Sequence, residues 1–434
     1  MSGPGGVRAL RAVARLGGLA AVAAAGLSLS GPAAAAPWCG SPSPVDRPAA
    51  VAGHQIRVVY AFPSDGADES AAFAARISDD VDAVEEWWRV QDPARAPRFD
   101  RALFPCGAQA DVIAVRLRRT GEELRAEQDR FPTIANLVSD AVEDSPYLKY
   151  LVYYDGPLDG DEICGQGGGS FGGAGVAVVY VQACADEPTA VVAAHELLHA
   201  LGALPAPGPP HACSAEDNGH TCDSPDDILW PFATLVPLPA LFLDVGRDDY
   251  YDHAGGWPDI RDSAWLRRLD AQVSLALRLQ GRGTVESNVP GLECSADCTS
   301  EWDAGSQVTL VATPGPGQVF ARWSGGCAGR APSCSLTVAE PMSVGAVFGP
   351  TAFPVRVSIA GRGTVRSTPA GIACPGACAG RLPSYTRVRL VAKPARGWRF
   401  KAWTGVCRGS AARCTLTLEG AARTRASFTR VRPS

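Results

Sequence analysis

The pentapeptide GRGTV occurs at residues 281–285 and again at 361–365, and the register between the two stretches never slips afterwards. Cys294, Cys298, Trp323, Cys327, Cys334 and Phe348 recur as Cys374, Cys378, Trp403, Cys407, Cys414 and Phe428, each 80 residues on. A fixed spacing through so many landmarks marks a tandem duplication, so the C-terminal third must fold as two copies of one unit. Within each copy, SQVTLVATP (306–314) and TRVRLVAKP (386–394) alternate with the two-residue period of strands. The close spacings Cys294/Cys298 and Cys327/Cys334 predict two local disulfides per copy, a pairing that spacing alone does not fix. Two small all-β, disulfide-bonded domains are therefore expected, over 273–350 and 351–434.

The other end of the chain reads as a targeting segment. Arg8, Arg11 and Arg15 precede the apolar run LGGLAAVAAAGLSL (16–29), too short to span a bilayer comfortably, and GPAAAAP follows with small-residue cleavage sites near Ala36. Residues 1–36 are expected to be a secretory signal peptide, and no later stretch suits a membrane helix. The fourteen cysteines all lie beyond it, an even count that argues for disulfides in an exported, extracellular protein. What remains of the 434 residues has room for one sizeable domain before the repeats, expected over 37–272.

That region alternates strand and helix signals. IRVVYAF (56–62), DVIAVRL (111–117), YLKYLVYYDG (147–156) and GVAVVYVQA (175–183) read as strands. Residues 69–91 and 122–143 read as helices, and the glycine-rich CGQGGGSFGG (164–173) as a flexible surface turn, since no Lys-Ser/Thr follows to make a phosphate loop. A last helix is expected from Glu187 to Leu201, with Pro188 in its first turn and Gly202 at its exit.

This last helix carries HELLH. Residues four apart share a helix face, so His195 and His199 can turn their imidazoles to one zinc ion. Glu196 projects beside that ion, where a base is needed to take a proton from the metal's water and pass it to a leaving amine. The plain alternative, a solvated or core pair of histidines, sits poorly with a chain that has six histidines in all.

Gly202 extends the motif to HELLHALG, and here the sequence resembles the metzincin zinc peptidases, whose pattern is HExxHxxGxxH. The resemblance implies an α+β domain, a mixed sheet with an active-site helix, in which His195 and His199 bind zinc and Glu196 is the general base. The position of the family's third ligand holds Pro205. His220 and His211 are the candidates to replace it, with His220 narrowly preferred. It begins HTCDSPDDILWP, similar to the metzincin stretch that leads to the Met-turn, and a Cys213–Cys222 pair would close a loop around it. The Met-turn methionine is missing, and Leu229 is expected in its place. His54 and His253 are expected at the surface or behind the ligands.

LDVGRDDYYDH (243–253) and CDSPDD (222–227) are where calcium would be sought, but neither matches a calcium loop; solvated turns, helix starts or partners of the ligand histidines are expected instead. IRDSAWLRRL (260–269) reads as a closing helix. In the second repeat, fourteen arginines and two lysines face one acid, Glu419. Such a surface attracts anionic cell-envelope polymers or other polyanions, with ordinary surface charge in an arginine-rich chain as the plain alternative. Each repeat resembles the divergent internalin-type B repeats, through its GxGTV start, VTLxAxP strand and W(S/T)G turn, which implies a binding or spacing module. The reading as a whole is a secreted zinc metallopeptidase acting on protein or peptide substrates, with no nucleic acid expected. An exported binding protein with an inactive zinc domain, and a zinc amidase acting on cell-wall peptides, are the alternatives.

Overall fold

QIRVVYAF and LKYLVYY contain no exposed residue. Strands buried on both faces must sit centrally in a sheet that is covered on both sides, and they do. In the computed structural model, which describes residues 37–431 apart from 128, 143–144, 159–162, 184–187, 205–208, 215–218 and 234–235, one sheet organises the N-terminal region. Its strands are β1 (Gln55–Phe62), β2 (Val112–Arg116), β3 (Leu148–Tyr154), β4 (Gly165–Gly169) and β5 (Gly175–Tyr180). Their order is β2-β1-β3-β5-β4, parallel throughout except for β4. The expected signal peptide lies outside the described residues.

Alternation along the strands sorts the helices onto two faces. Ile56, Val58, Tyr60 and Phe62 join the core formed with α1 (Ser70–Gln91) and the later helix over Thr189–Leu201. Val59, Ala61, Val115 and Val152 point the other way, into a core with α2 (Gly121–Arg125) and α3 (Arg130–Ala141). The single helix expected over 122–143 is thus two. Thr120 and Glu123 form a capping box that starts α2. Pro132 then falls in the first turn of α3, where its missing N–H is harmless, whereas a continuous helix would have to absorb it mid-run. The helix Thr189–Leu201, called α4, is buried almost end to end.

Two further expectations change. The glycine-rich stretch is not a flexible turn: Gly165–Gly169 is β4, an edge strand pairing antiparallel with β5. Residues 260–269 do not form a closing helix but a 3-10 turn, Ile260–Asp262, capped by Asp259, and a strand, Leu266–Arg268, paired with Arg95–Pro97. The pairing and the Arg98 N–H to Trp265 carbonyl bond take up the backbone groups that a helix would use internally.

Beyond residue 271 the chain is all β, which makes the protein mostly β overall. Residues 272–350 form two four-stranded sheets, and residues 352–430 form two more in the same order and register. Cys294–Cys298, Cys327–Cys334, Cys374–Cys378 and Cys407–Cys414 are disulfides, two per copy. The first copy is fastened to the region before it by Arg98, whose buried guanidinium donates to the carbonyls of Ala52 and Leu266 and to Asp303 at 2.5 Å. Every described cysteine is disulfide-bonded, including Cys39–Cys106, as in proteins of oxidising compartments. No helix among the described residues is long and apolar enough to cross a membrane.

Candidate metal centre

Both ends of α4 are tied down. At its start the Thr189 hydroxyl donates to Asp80 of α1 at 2.6 Å, and Tyr153 donates to the same carboxylate. At its end Gly202 adopts the left-handed conformation (φ 91°) that L side chains avoid. There the fully buried Lys149 ammonium donates to the carbonyls of Ala200, Ser170 and Gly173 at 2.7–2.9 Å. A cation against the last carbonyls of a helix also complements its dipole. Burial lowers this lysine to about 8.

Between these ends β4 lies against the helix so closely that side chains have no room. A Cβ on Gly165 would stand 2.6 Å from Glu196 Cγ, and one on Gly167 would stand 2.4 Å from the Glu196 carbonyl oxygen. The glycines at alternate positions allow the contact.

The structure brings His195, His199 and His220 together. The Nε2 atoms of His199 and His220 each lie 3.2 Å from Nε2 of His195. His211 is elsewhere: its Nδ1 lies 3.1 Å from Asp249, which also accepts its backbone N–H, and this carboxylate raises the imidazole pKa. What separates the two candidates is a small hairpin. Ala212 bridges Thr221, Cys213 N–H donates to the His220 carbonyl, Cys222 N–H to the His211 carbonyl, and a Cys213–Cys222 disulfide closes it. His211 and His220 stand in the two facing strands of this hairpin, and it is the second that turns to α4.

The hairpin is joined to a segment that steadies His195. Thr221 N–H donates to the Leu229 carbonyl, and the neighbouring Ile228 carbonyl accepts from His195 Nδ1 at 2.6 Å. With its proton on Nδ1, His195 presents a bare lone pair on Nε2, toward the other two rings. Asp227, which is fully buried, orders this turn by accepting from Leu229 N–H, Val245 N–H and the Tyr250 hydroxyl at 2.7–2.8 Å. Burial pushes Asp227 up to about 6 against those donors. Asp244 likewise gathers the N–H groups of Asp249, Tyr250 and Tyr251. Asp227 and Asp244 are therefore buried staples of irregular backbone, a role the sequence pattern did not reveal, whereas Asp223, Asp226, Asp248 and Asp252 are exposed, as expected of solvated turns. Leu229 is fully buried in the core that α4 shares.

The donor set suits a zinc-type ion. Three imidazole nitrogens converge within 4.8 Å of one another. Ligands about 2.0–2.1 Å from a tetrahedral ion stand roughly 3.3 Å apart, close to the 3.2 Å observed. Burial keeps the rings of His195 and His199 neutral, which is the ligating form: His195 is lowered to about 4 and His199 well below the usual range, with the neighbouring rings adding to it. Burial also pushes the Glu196 carboxyl up to about 8. His54 lies half-buried between the rings of Tyr147 and Trp265, away from the ligands. His253 stacks on Trp257.

Residues 282–352 and 356–432 match the divergent InlB B-repeat domain family, which therefore accounts for the two C-terminal copies. No curated protein matches the chain. Among solved structures, OgpA from Akkermansia muciniphila, solved in a catalytically inactive form with an O-glycopeptide substrate, is similar over 89% of this chain and 99% of its own, at 12% identity and a TM-score of 0.27. The minor pilin GBS52 from Streptococcus agalactiae is similar over 38% of this chain and 98% of its own, at 6% identity and a TM-score of 0.17. Likenesses at these scores carry no functional argument.

Proposed function

We propose that residues 37–272 form a zinc-dependent, metzincin-like peptidase domain, carried by an exported protein, that hydrolyses peptide bonds in protein or peptide substrates. The observation that carries this reading is the meeting of three imidazole Nε2 atoms beside Glu196, that of buried His195 and those of half-buried His199 and His220, against a helix held at both ends.

His195, His199 and His220 would hold the ion, with His195 fixed in the ligating tautomer by the Ile228 carbonyl. Zinc bound there supplies Lewis acidity toward a carbonyl and makes a water acidic enough to attack at neutral pH. Glu196 follows His195 on α4, where a cation held by the three imidazoles would favour its ionised form, ready to accept a proton and release it to a leaving amine. The edge strand β4 runs beside Glu196 and pairs on one side only. An extended peptide laid along its free edge would pass the carboxylate.

The test is metal analysis and casein hydrolysis on the purified chain. One zinc per chain is expected, with activity that a chelator abolishes and zinc restores. Glu196→Ala should keep the zinc and lose hydrolysis; a Glu196→Ala variant that still cleaves casein sinks the mechanism.

A further inference from the structure

The two C-terminal copies provide an internal comparison of surface charge. They share a fold and a register, and they share whatever compositional bias shaped the chain. Yet residues 273–350 contain four arginines against six acids, whereas residues 351–434 contain fourteen arginines and two lysines against Glu419 alone. An arginine-rich composition would have marked both copies.

The excess is ordered. In the second copy, the strands Ala379–Pro383, Ala352–Ala360, Ala422–Arg430 and Trp398–Gly405 form one sheet in that order. Its inner face buries Leu382, Val355, Val357, Ala426 and Phe428. Alternation turns Arg381, Arg356, Arg423, Arg425 and Arg399 outward, all exposed. The matching positions of the first copy hold Glu301, Ala276, Ser343, Gly345 and Val319, so this fold does not require a single one of those charges. Arg356 stands directly across from Arg423, a like-charge pair that costs stability. Among the described residues no carboxylate offsets it, since Glu419 pairs with Arg330 of the first copy. The opposite sheet of the second copy is basic too, but Arg366 and Arg413 there are separated by Val391, and Arg389 faces threonines.

We propose that the outer face bearing Arg356, Arg381, Arg399, Arg423 and Arg425 binds a linear polymer of closely spaced phosphate groups. Strands about 4.8 Å apart, with outward residues about 6.7 Å apart along each, set guanidinium forks close enough for several to reach phosphates of one chain at once. Each fork can grip a phosphate in bidentate fashion. No aromatic ring of this copy is among the exposed large apolar side chains, which are Val406 and Val431, so the face has neither a platform for stacking bases nor a wedge for a membrane. This proposal does not depend on the metal centre.

The experiment follows binding of the full chain to labelled inorganic polyphosphate across a salt series. The variant R356A/R399V/R423S carries residues that the same fold bears in its first copy. It should bind at least tenfold more weakly at about 0.15 M salt, with a log–log salt slope lower by about 2. The variant R387Q/R389T/R413S removes as much charge from the other sheet and should lose less than threefold. Equal losses in the two variants would reduce the effect to bulk charge and overturn the assignment. So would a wild-type chain that ignores polyphosphate, oligo-dT bound tenfold more tightly at equal charge, or vesicles of phosphatidylcholine and phosphatidylglycerol that displace the polymer.

Discussion

His195 donates its Nδ1 proton to the carbonyl of Ile228, 33 residues further along the chain, at 2.6 Å. The bond settles which nitrogen faces the other histidines, and it makes the metal centre depend on a turn that holds no ligand itself. Asp227 builds that turn, with two backbone N–H groups and one hydroxyl converging on its carboxylate. Asp227→Asn replaces one acceptor oxygen by an amide that meets a donor head-on. The expected result is a 10–100-fold loss of zinc affinity, the usual cost of disturbing a ligand's support, with the helical circular dichroism retained. Zinc titration against a competing chelator measures it.

The disulfide Cys213–Cys222 should matter more to metal binding than its short span suggests. It closes the hairpin from which His220 reaches α4, so without it the third imidazole must be ordered at the moment of binding. Cys213→Ser/Cys222→Ser is expected to weaken zinc binding at least tenfold. Removing Cys407 and Cys414 instead, in the second repeat, should leave it unchanged. Zinc stoichiometry after dialysis separates the two variants.

The parts legible in the sequence were those fixed by local covalent or periodic constraints. HELLH placed two imidazoles on one helix face, and the invariant spacing of the two repeats specified the duplication and pointed to its four local disulfides, whose pairing the structure supplies. The choice between His211 and His220 was not local. It turns on which arm of the hairpin closed by Cys213 and Cys222 faces α4, and on Asp249 standing ready to take the other histidine. Likewise nothing in CDSPDD marks Asp227 as the buried member, because burial there is imposed by Tyr250 and by Val245, from another loop. The glycines of β4 misled by propensity. Glycine is poor in strands, and its presence there answers a steric demand from a helix packed on top.

That steric demand can be tested position by position. Gly167→Ala drives a Cβ to 2.4 Å from the Glu196 carbonyl oxygen and 2.9 Å from His199 Cβ, so β4 and α4 must part. Overpacking of this kind costs about 1–3 kcal/mol, and both a lower Tm and slower casein turnover are expected. Gly168→Ala is the control. Its Cβ points to the other face, where the nearest atom is the Phe131 ring at 3.4 Å, and it should behave as wild type.

The half-buried His54 ties stability to pH. Burial between Tyr147 and Trp265, then the positive charges of Arg98 and Lys149, lower its pKa to about 4. In the unfolded chain the same imidazole titrates near 6.5. Between those values the unfolded state binds the proton and the folded state does not, so stability rises with pH across this window and is lost as pH falls through it. Solvent reaches part of the ring, so the effect is smaller than full desolvation would give. His54→Phe keeps an aromatic ring between Tyr147 and Trp265 and removes the titration. The gap in urea midpoint between pH 4.5 and pH 6.5 should therefore be narrower in the variant than in the wild type, and an unchanged gap would show that His54 is not the group responsible.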